Sequence, residues 1–268
     1  MKPLKYWPLV ARQRITGVFT DIDDTLTTDG AITPDALAAL GALRNSGLHV
    51  LAITGRPVGW SASFAIDWPV DAIVVENGAV LLQKQPEPAL CMPGVLLKTY
   101  FQDMPTRCIN HARMQQVAAR VLREVPGTQL AQDSAGRETD IAIDHNEFAK
   151  LPQCHIDKVV SIMRAEGMQA SVSSIHINGW YGSHNKLVGA RWAVAELYGR
   201  DLDTERDRWA FVGDSTNDQL MFEAFANSIG VANIARFLPQ LKSPPQYVTP
   251  GERGAGFAQA AALLLSPR

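Results

Sequence analysis

The first third of the chain alternates between two spacings of apolar residues. The apolar run over residues 15–20 predicts a buried strand. A threonine followed by a proline at residues 33–34 suits the start of a helix, and leucines then recur at helical spacing. A glycine at residue 47 suits its end. We predict a helix over 34–46, a second helix over 58–66, and strands at 49–53 and 72–75. This β-α-β-α-β order predicts the α/β class, with a doubly wound parallel sheet.

The spacing changes between residues 84 and 182. There we predict hairpin-like strands at 95–101, 139–144 and 170–177, and helices over 107–124 and 155–166. Alternation then resumes with helices over 185–198, 217–225 and 256–265 and strands at 209–212 and 228–231. About 100 residues are enough for a separate unit. We therefore predict a core domain of residues 1–83 and 183–268, interrupted by an inserted α+β cap domain of residues 84–182, called the insert below.

Composition narrows the range of partners. The chain has 268 residues and a formal charge of -2, and it lacks a long basic run, which argues against a nucleic acid or an anionic membrane as partner. No stretch approaches the about 18 consecutive apolar residues of a membrane span. The start of the chain lacks the apolar region of a signal peptide, so we expect a cytoplasmic location. Three cysteines without C-x-x-C spacing indicate neither a disulfide framework nor a thiolate zinc site.

Acidic residues follow two of the predicted strands, in residues 21–25 (DIDDT) and 213–218 (GDSTND). If Asp21 and Asp23 continue their strand, its two-residue period places both carboxylates on the same side. Two anions that close repel, so either one is protonated or a cation lies between them. Paired aspartates also cap helices and bind calcium, but their place after buried strands favours a metal-assisted reaction site. Asp24 is expected to point away, in a turn or capping role.

These motifs, together with residues 54–56 (TGR) and Lys186, resemble those of the haloacid dehalogenase-like phosphohydrolases. The insert lies between residue 54 and Lys186, as in the C2-capped branch, and the type IIB subgroup of sugar-phosphate phosphatases and phosphomannomutases is the most similar. The resemblance covers the core, whereas over the insert it rests on position and length. The chain departs from the common family pattern at Asp24, where glycine is frequent.

The resemblance implies a role for each acid. Asp21 is the expected nucleophile, which forms an aspartyl phosphate, and Asp23 is the expected acid-base group. The expected cofactor is Mg²⁺, with Asp214 as a direct ligand and Asp218 as a ligand or a water-mediated partner. The carboxylate of Asp21 and the main-chain carbonyl of Asp23 complete the implied protein ligands, and oxygen donors suit this ion.

The resemblance also implies that Thr54, Gly55 and Lys186 bind the phosphoryl oxygens. The alternatives are an ordinary turn at Thr54 and a solvated lysine in the first turn of a helix, although acids are preferred there. The candidates for substrate contact are Arg56, Asn217, His176, Asn178, Trp180 and Tyr181. A surface ion pair is an equal alternative for Arg56, and Asn217 could brace the metal loop or cap its helix. Residues 174–181 could form an edge strand with exposed polar side chains.

We therefore expect a magnesium-dependent phosphatase that hydrolyses a small, sugar-like phosphate monoester. The oligomeric state is left open. One alternative is a phosphomannomutase-like phosphomutase, which needs a second phosphate site in the insert, where arginines do not cluster in the sequence. Another is a receiver-like phospho-signalling protein, against which the size of the insert and the Gly213-Asp214 motif argue. A third is a catalytically silent binding protein.

Overall fold

The computed structural model describes residues 1–85 and 96–266. Its strands are β1 (Lys2–Pro3), β2 (Gly17–Thr20), β3 (Thr27–Thr28), β4 (Ala31–Ile32), β5 (His49–Ile53), β6 (Ala72–Val75), β7 (Val80–Lys84), β8 (Leu96–Tyr100), β9 (Gln129–Leu130), β10 (Ile141–Asp144), β11 (Gln169–Val172), β12 (His176–Trp180), β13 (Trp209–Gly213), β14 (Asn227–Gly230) and β15 (Tyr247–Val248). Its α-helices are α1 (Leu9–Arg14), α2 (Pro34–Asn45), α3 (Val58–Asp67), α4 (Met104–Glu124), α5 (Gln153–Ala165), α6 (Lys186–Tyr198), α7 (Gln219–Ala224) and α8 (Arg253–Leu265).

The larger sheet sets where ligands can bind. Within the described ranges its strand order is β1-β15-β14-β13-β2-β5-β6-β7-β8, parallel from β1 to β6 and antiparallel at β7 and β8. The chain runs from β2 outward to β5 and β6, but from β13 it runs in the opposite direction, to β14 and β15. The carboxyl ends of the neighbouring strands β2 and β13 therefore form the switch point at which α/β sheets bind ligands. The predicted α/β class is confirmed.

Helices cover both faces of this sheet because its central strands are apolar on both sides. Val18 faces α2 and α8, whereas its neighbour Phe19 faces α6 and α7. The same alternation is found in β5 and β13, which contribute Val50 and Val212 to the first layer and Leu51 and Phe211 to the second. Side chains that alternate along a strand point to opposite faces, so each strand helps to bury two layers of helices.

The insert has its own sheet and core. Its strands are antiparallel in the order β11-β12-β10-β9. One face of the sheet packs on α4 and α5 through residues such as Val121, Ile143, Val159 and Ile177. The opposite face carries the buried polar residues His176 and Asn178 toward the core. The expected α+β character of the insert is therefore present in its described residues.

The single strand predicted over 170–177 is two strands, β11 and β12. The turn between them is stabilised by Ser173, whose hydroxyl accepts hydrogen bonds from the backbone N–H groups of Ile175 (3.3 Å) and His176 (3.0 Å). Serine side chains compete for backbone N–H groups in this way and favour turns. Apolar residues alternate with polar ones across residues 170–177, so the sequence pattern does not indicate this turn.

Strand β8 lies in the core sheet, whereas the sequence pattern places residues 95–101 in the insert. It pairs with β7 over its whole length, so that β7 is not left as an unpaired edge. Residues 86–95, which include Val95, lie outside the described residues. The predicted division of the chain stays a proposal, and we now place the start of the insert after β8, near residue 102.

The helices in the described parts of the chain lack the combined length and apolar character that a membrane crossing needs.

Gly17, at the start of β2, tests how tightly the sheet packs. A Cβ atom there would overlap the ring of Trp209, so we expect Gly17→Ala to lower the free energy of unfolding by about 1–3 kcal/mol. Gly41→Ala is the matched control, because it lies inside α2 and its Cβ would meet only Pro69, at 3.9 Å. The control should gain roughly 0.5–1 kcal/mol. Urea unfolding followed by circular dichroism measures both, and equal effects would contradict the proposed packing.

Candidate active site

Two acidic residues meet at the switch point of the larger sheet. Asp21 follows β2 and Asp214 follows β13, and these strands are paired so that Thr20 lies beside Val212. The N–H of Asp21 donates to the carbonyl of Val212 (2.9 Å), although the strand itself ends at Thr20. Both carboxyl groups are buried. Adjacent parallel strands thus bring together two residues that are far apart in the sequence.

Asp218 adds a third carboxylate. It ends a short 3₁₀ turn, and its Oδ2 accepts hydrogen bonds from the N–H groups of Asp214 (3.0 Å) and Ser215 (3.3 Å). A side chain at Gly213 would overlap this carboxylate, which explains the glycine before Asp214. The turn fixes Asp218 so that its Oδ1 remains available to another partner.

That partner is Lys186, the first residue of α6. The side chain of Asn185 caps the helix by accepting the N–H of Val188 (3.0 Å). The Lys186 Nζ lies 2.5 Å from Asp21 Oδ1 and 2.7 Å from Asp218 Oδ1. Burial alone would lower the pKa of Lys186, but the two carboxylates outweigh it and raise the pKa. The alternative of a solvated lysine is therefore wrong, because the ammonium group is buried between two acids.

The acid cluster carries more negative charge than Lys186 can balance. Ligand atoms of Asp21, Asp214 and Asp218 lie within 4.8 Å of one another. Burial raises the pKa of Asp21 to about 8, against the lowering effect of Lys186. Burial, followed by the charges of Asp21 and Asp218, raises the pKa of Asp214 well above its usual range. Such shifts mean that the ionised cluster needs further positive charge.

The donor set fits a divalent cation that prefers oxygen ligands. Asp214 Oδ1 is buried and has no hydrogen-bond partner among the described residues, whereas Oδ2 accepts from Asn233 (3.1 Å) and Arg236 (3.3 Å). A buried carboxylate oxygen without a partner is costly unless a ligand satisfies it. Mg²⁺ takes carboxylate oxygens and keeps several waters, so Asp214 and Asp21 suit it.

Residues outside the predicted motifs contact Asp214 and the neighbouring Asp24. Asp24 lies in the turn after β2 with a left-handed backbone (φ 56°), and its carboxylate contacts Arg236 (2.7 Å) and Arg253 (3.0 Å). Asn233 donates to the carbonyl of Asp24 (3.0 Å) as well as to Asp214. No motif marks Asn233, Arg236 or Arg253. Asn233 and Arg236 follow β14, and Arg253 begins α8 after β15, so only these positions beyond strand ends could have suggested them.

A cavity lies beside Asp21 and Asp23. It is lined on the core side by Asp21, Asp23, Thr54, Gly55, Arg56 and Asn217, and on the insert side by Ser173, Ser174, Ile175, His176 and Asn178. The room for the centre of a water-sized sphere is about 10 Å³, roughly what a single water needs. The core and the insert are therefore closed over the site, and a ligand much larger than a water needs them to separate.

Thr54 and Gly55 form the wall of the cavity that follows β5. The Thr54 hydroxyl accepts the N–H of Arg56 (3.0 Å), which leaves its own hydrogen free to be donated. The carbonyl of Gly55 accepts from Arg137 (3.0 Å) and from Asn178 Nδ2 (3.4 Å), both in the insert. This turn therefore joins the two units beside the cavity.

Arg56 forms a buried ion-pair network. Its Nε lies 3.0 Å from each carboxylate oxygen of Asp23, its NH1 lies 3.2 Å from Asp133, and its NH2 lies 2.8 Å from Glu147. Asp23 is therefore paired with Arg56 and is not one of the three clustered carboxylates of Asp21, Asp214 and Asp218. The surface ion pair offered as an alternative for Arg56 is wrong, because the pair is buried. Arg56 also lines the cavity, and its contact with substrate stays a prediction.

The candidates in β12 divide into two groups. His176 Nε2 lies 2.8 Å from Glu147, and Asn178 Nδ2 donates to Asp140 (3.0 Å), so both line the cavity through polar contacts. Trp180 and Tyr181 instead pack in the apolar core of the insert. Their polar atoms donate to the carbonyl groups of His184 (2.9 Å) and Glu166 (3.1 Å). Large rings are more stable in that core, so the expected substrate contact of Trp180 and Tyr181 is corrected.

Comparisons with known proteins agree with this geometry. The family described as haloacid dehalogenase-like hydrolase matches residues 18–91. A protein of Streptococcus pyogenes serotype M6 that is named as a phosphatase is 23% identical over 267 residues, which cover 91% of this chain and 96% of that protein. The sucrose-phosphatase of Synechocystis sp. PCC6803, solved with sucrose and phosphate, has a TM-score of 0.64 at 15% identity, covering 92% of this chain and 97% of that one. A sugar phosphatase of subclass IIB has a TM-score of 0.60 at 15% identity, with 91% and 97% covered.

The fold and the acid cluster define an enzyme of the phosphoric monoester hydrolase class. The match to the haloacid dehalogenase-like hydrolases covers part of the core, and core and insert together have the fold of the solved sugar phosphatase of subclass IIB. The family resemblance found in the sequence is confirmed.

The unpartnered oxygen of Asp214 leads to a prediction about metal binding. We expect Mg²⁺ to raise the melting temperature of the protein, because a ligand that binds only the folded state stabilises it, by about 2.7 kcal/mol at 100 times its Kd. Asp214→Asn should abolish the rise. In chelator the variant should melt no lower than the wild type, because it removes a buried charge.

Differential scanning fluorimetry and isothermal titration calorimetry with MgCl₂ measure these effects. Asp207→Asn, which changes a surface acid paired with Arg14, is the control and should keep the full Mg²⁺ response. A response that Asp214→Asn leaves intact would place the ion elsewhere.

Proposed function

We propose that this enzyme is a magnesium-dependent phosphatase that hydrolyses small, sugar-like phosphate monoesters through an aspartyl phosphate. One observation carries the proposal. Asp21 and Asp218 lie around the ammonium group of Lys186, with Asp214 beside them, and Asp21 also lines the cavity between Thr54 and the insert. This arrangement supports a nucleophile, a cation and a metal-binding set that act together.

The ion would be held by the carboxylates of Asp21 and Asp214 and the carbonyl of Asp23, with Asp218 as a direct or water-mediated partner. When bound, it supplies positive charge that offsets the acids and the phosphoryl oxygens. The further positive charge comes from Lys186, and hydrogen-bond donation comes from Thr54.

In the first half-reaction a carboxylate oxygen of Asp21 attacks phosphorus. A bond forms between phosphorus and Asp21 while the bond to the ester oxygen breaks, and the electron pair of that bond stays on the leaving oxygen. Asp23 gives its proton to this oxygen, so the product leaves as a neutral alcohol. The aspartyl phosphate divides one difficult displacement into two easier steps.

In the second half-reaction a water oxygen attacks the phosphorus of the aspartyl phosphate. Asp23, now a carboxylate, takes a proton from this water, and the bond between phosphorus and Asp21 breaks. Inorganic phosphate leaves, Asp21 is again a carboxylate, and Asp23 is again protonated. Closure of the insert excludes bulk water while the ester is held.

The charge of the insert favours an uncharged leaving group. Among the described insert residues that line the cavity, none carries a permanent positive charge. Arg137 lies behind them, and its donors are directed to Asp133, Asp140 and the carbonyl of Gly55. A second phosphate would therefore meet acids and no free cation, which argues against a phosphomutase. The sugar phosphatases among the structural relatives support the same substrate class.

The proposed partner is thus a small phosphate ester. A cytoplasmic location stays a prediction from the sequence, as does the absence of nucleic-acid and membrane partners.

Replacement of the nucleophile tests the mechanism. We expect Asp21→Asn to reduce phosphate release from 4-nitrophenyl phosphate by at least about a thousandfold, because an amide oxygen is a poor nucleophile. Asp29→Asn, which makes the same change at an exposed side chain, should keep wild-type activity. Phosphate is measured with Mg²⁺ present, and the fold is checked by circular dichroism. Equal release by wild type and Asp21→Asn would exclude Asp21 as the nucleophile.

Substrate charge tests the specificity. We expect kcat/KM for a hexose 6-phosphate to exceed that for the corresponding hexose 1,6-bisphosphate by about tenfold or more, since one unpaired charge in the insert is costly. Isomerisation of a hexose 1-phosphate should not be detectable, with or without the bisphosphate. Coupled assays for phosphate and for the isomer measure both reactions, and bisphosphate-dependent isomerisation would establish the mutase instead.

A further inference from the structure

Arg56 joins the expected acid-base residue to the insert. We propose, on the basis of the proposed function, that Glu147 and Asp133 are positioning residues of the insert. They act through Arg56 to set the side chain of Asp23 for proton transfer when the insert closes.

The core side of this connection is a bidentate contact. The Nε of Arg56 lies 3.0 Å from both oxygens of Asp23, and its NH2 lies 2.9 Å from Asp23 Oδ1. A guanidinium fork matches a carboxylate in this way and restricts its rotation. The guanidinium also lies 4.8 Å from the ring centre of Trp60. The direction of the Asp23 carboxylate therefore depends on where Arg56 is held.

The insert side holds the remaining donors of Arg56. Glu147 Oε1 accepts from NH2 (2.8 Å), and its Oε2 lies 2.8 Å from His176 Nε2. The N–H of Glu147 donates to Asp144 (2.9 Å), which fixes the loop that carries Glu147. The insert thus presents Glu147 in a defined position and does not rely on Arg56 to order it.

Asp133 is fixed in a similar manner. Its carboxylate accepts from Arg56 NH1 (3.2 Å) and from Nε of Arg137 (3.1 Å). Arg137 is in turn bonded to Asp140 (2.8 Å). Three carboxylates therefore surround one guanidinium, and two of them belong to the insert.

Opening of the insert changes this set. The closed cavity has room for little more than one water, so a substrate enters only when the insert moves away from the core. Asp23 and Arg56 both stay on the core, whereas Glu147 and Asp133 leave with the insert. Arg56 then loses two of its three carboxylate partners, and the position of Asp23 becomes coupled to closure.

The test compares two substrates of nearly equal shape whose leaving groups differ in their need for a proton. Phenyl phosphate has a poor leaving group, whereas 4-nitrophenyl phosphate leaves readily as an anion. In Glu147→Gln we expect kcat for phenyl phosphate to fall about tenfold or more, kcat for 4-nitrophenyl phosphate to fall less than about threefold, and both KM values to change less than about threefold. Asp133→Asn should give the same pattern.

Glu124→Gln is the matched control, because it changes another insert carboxylate that is paired with an arginine, Arg120, away from the cavity. It should leave both rates unchanged. In an Arg56→Lys background, Glu147→Gln should have no further effect on the ratio of the two rates, because its action passes through the guanidinium. A folded Arg56→Lys protein in which the ratio still falls would overturn the proposal.

If Arg56→Lys does not fold, Glu147→Gln and Asp133→Asn in the wild-type background still test the proposed coupling. Equal losses of kcat on the two substrates in Glu147→Gln and Asp133→Asn, or unchanged kcat on both, would overturn the coupling. The wild type separates this outcome from failure of the proposed function. If it hydrolyses both esters and Asp21→Asn does not, the proposed function stands whatever the insert variants show.

Discussion

The arrangement of the site depends on holding three buried carboxylates against their mutual repulsion. Asp21, Asp214 and Asp218 are brought together by two adjacent strands and one turn, and the ammonium group of Lys186 bonds to two of them. Charges this close interact strongly away from water, so the cluster is stable only with enough positive charge beside it. This need for positive charge explains why Lys186 is buried beside the carboxylates. It also suits the site to a cation.

Beside the cavity, the insert and the core contact each other through polar groups. The interior of each unit, in contrast, is apolar. Arg56 and Arg137 reach across it to carboxylates and to the carbonyl of Gly55. From the core, Glu76 accepts the N–H groups of Glu138 (3.0 Å) and Thr139 (2.5 Å). Ionic and hydrogen-bonding groups can be rehydrated when they separate, whereas a broken apolar core exposes surface that water disfavours. Two units joined by such an interface can separate at a lower cost than two halves of an apolar core.

Sequence periodicity predicted the core well because each strand there is buried by helices on both sides. Helix α2 and strand β5 lie where their apolar spacing and caps placed them. The insert was predicted less well. The turn at Ser173 depends on a side-chain hydrogen bond, and strand β8 joins the core sheet because β7 offers it an edge. Neither the turn nor the strand pairing produces a periodic pattern of apolar residues in the sequence.

The sequence by itself determined where the candidate groups of the core lie, since Asp21, Asp214 and Lys186 follow local signals: a strand end, a glycine turn and a helix start. Only the tertiary structure decided which partner each group has. Asp23 is paired with Arg56, Asn233 supports Asp214, and Trp180 is buried within the insert. Local signals fix where a side chain lies along its element, whereas its partners come from segments brought near by packing, and the balance of charge and burial among them is not encoded in either segment alone.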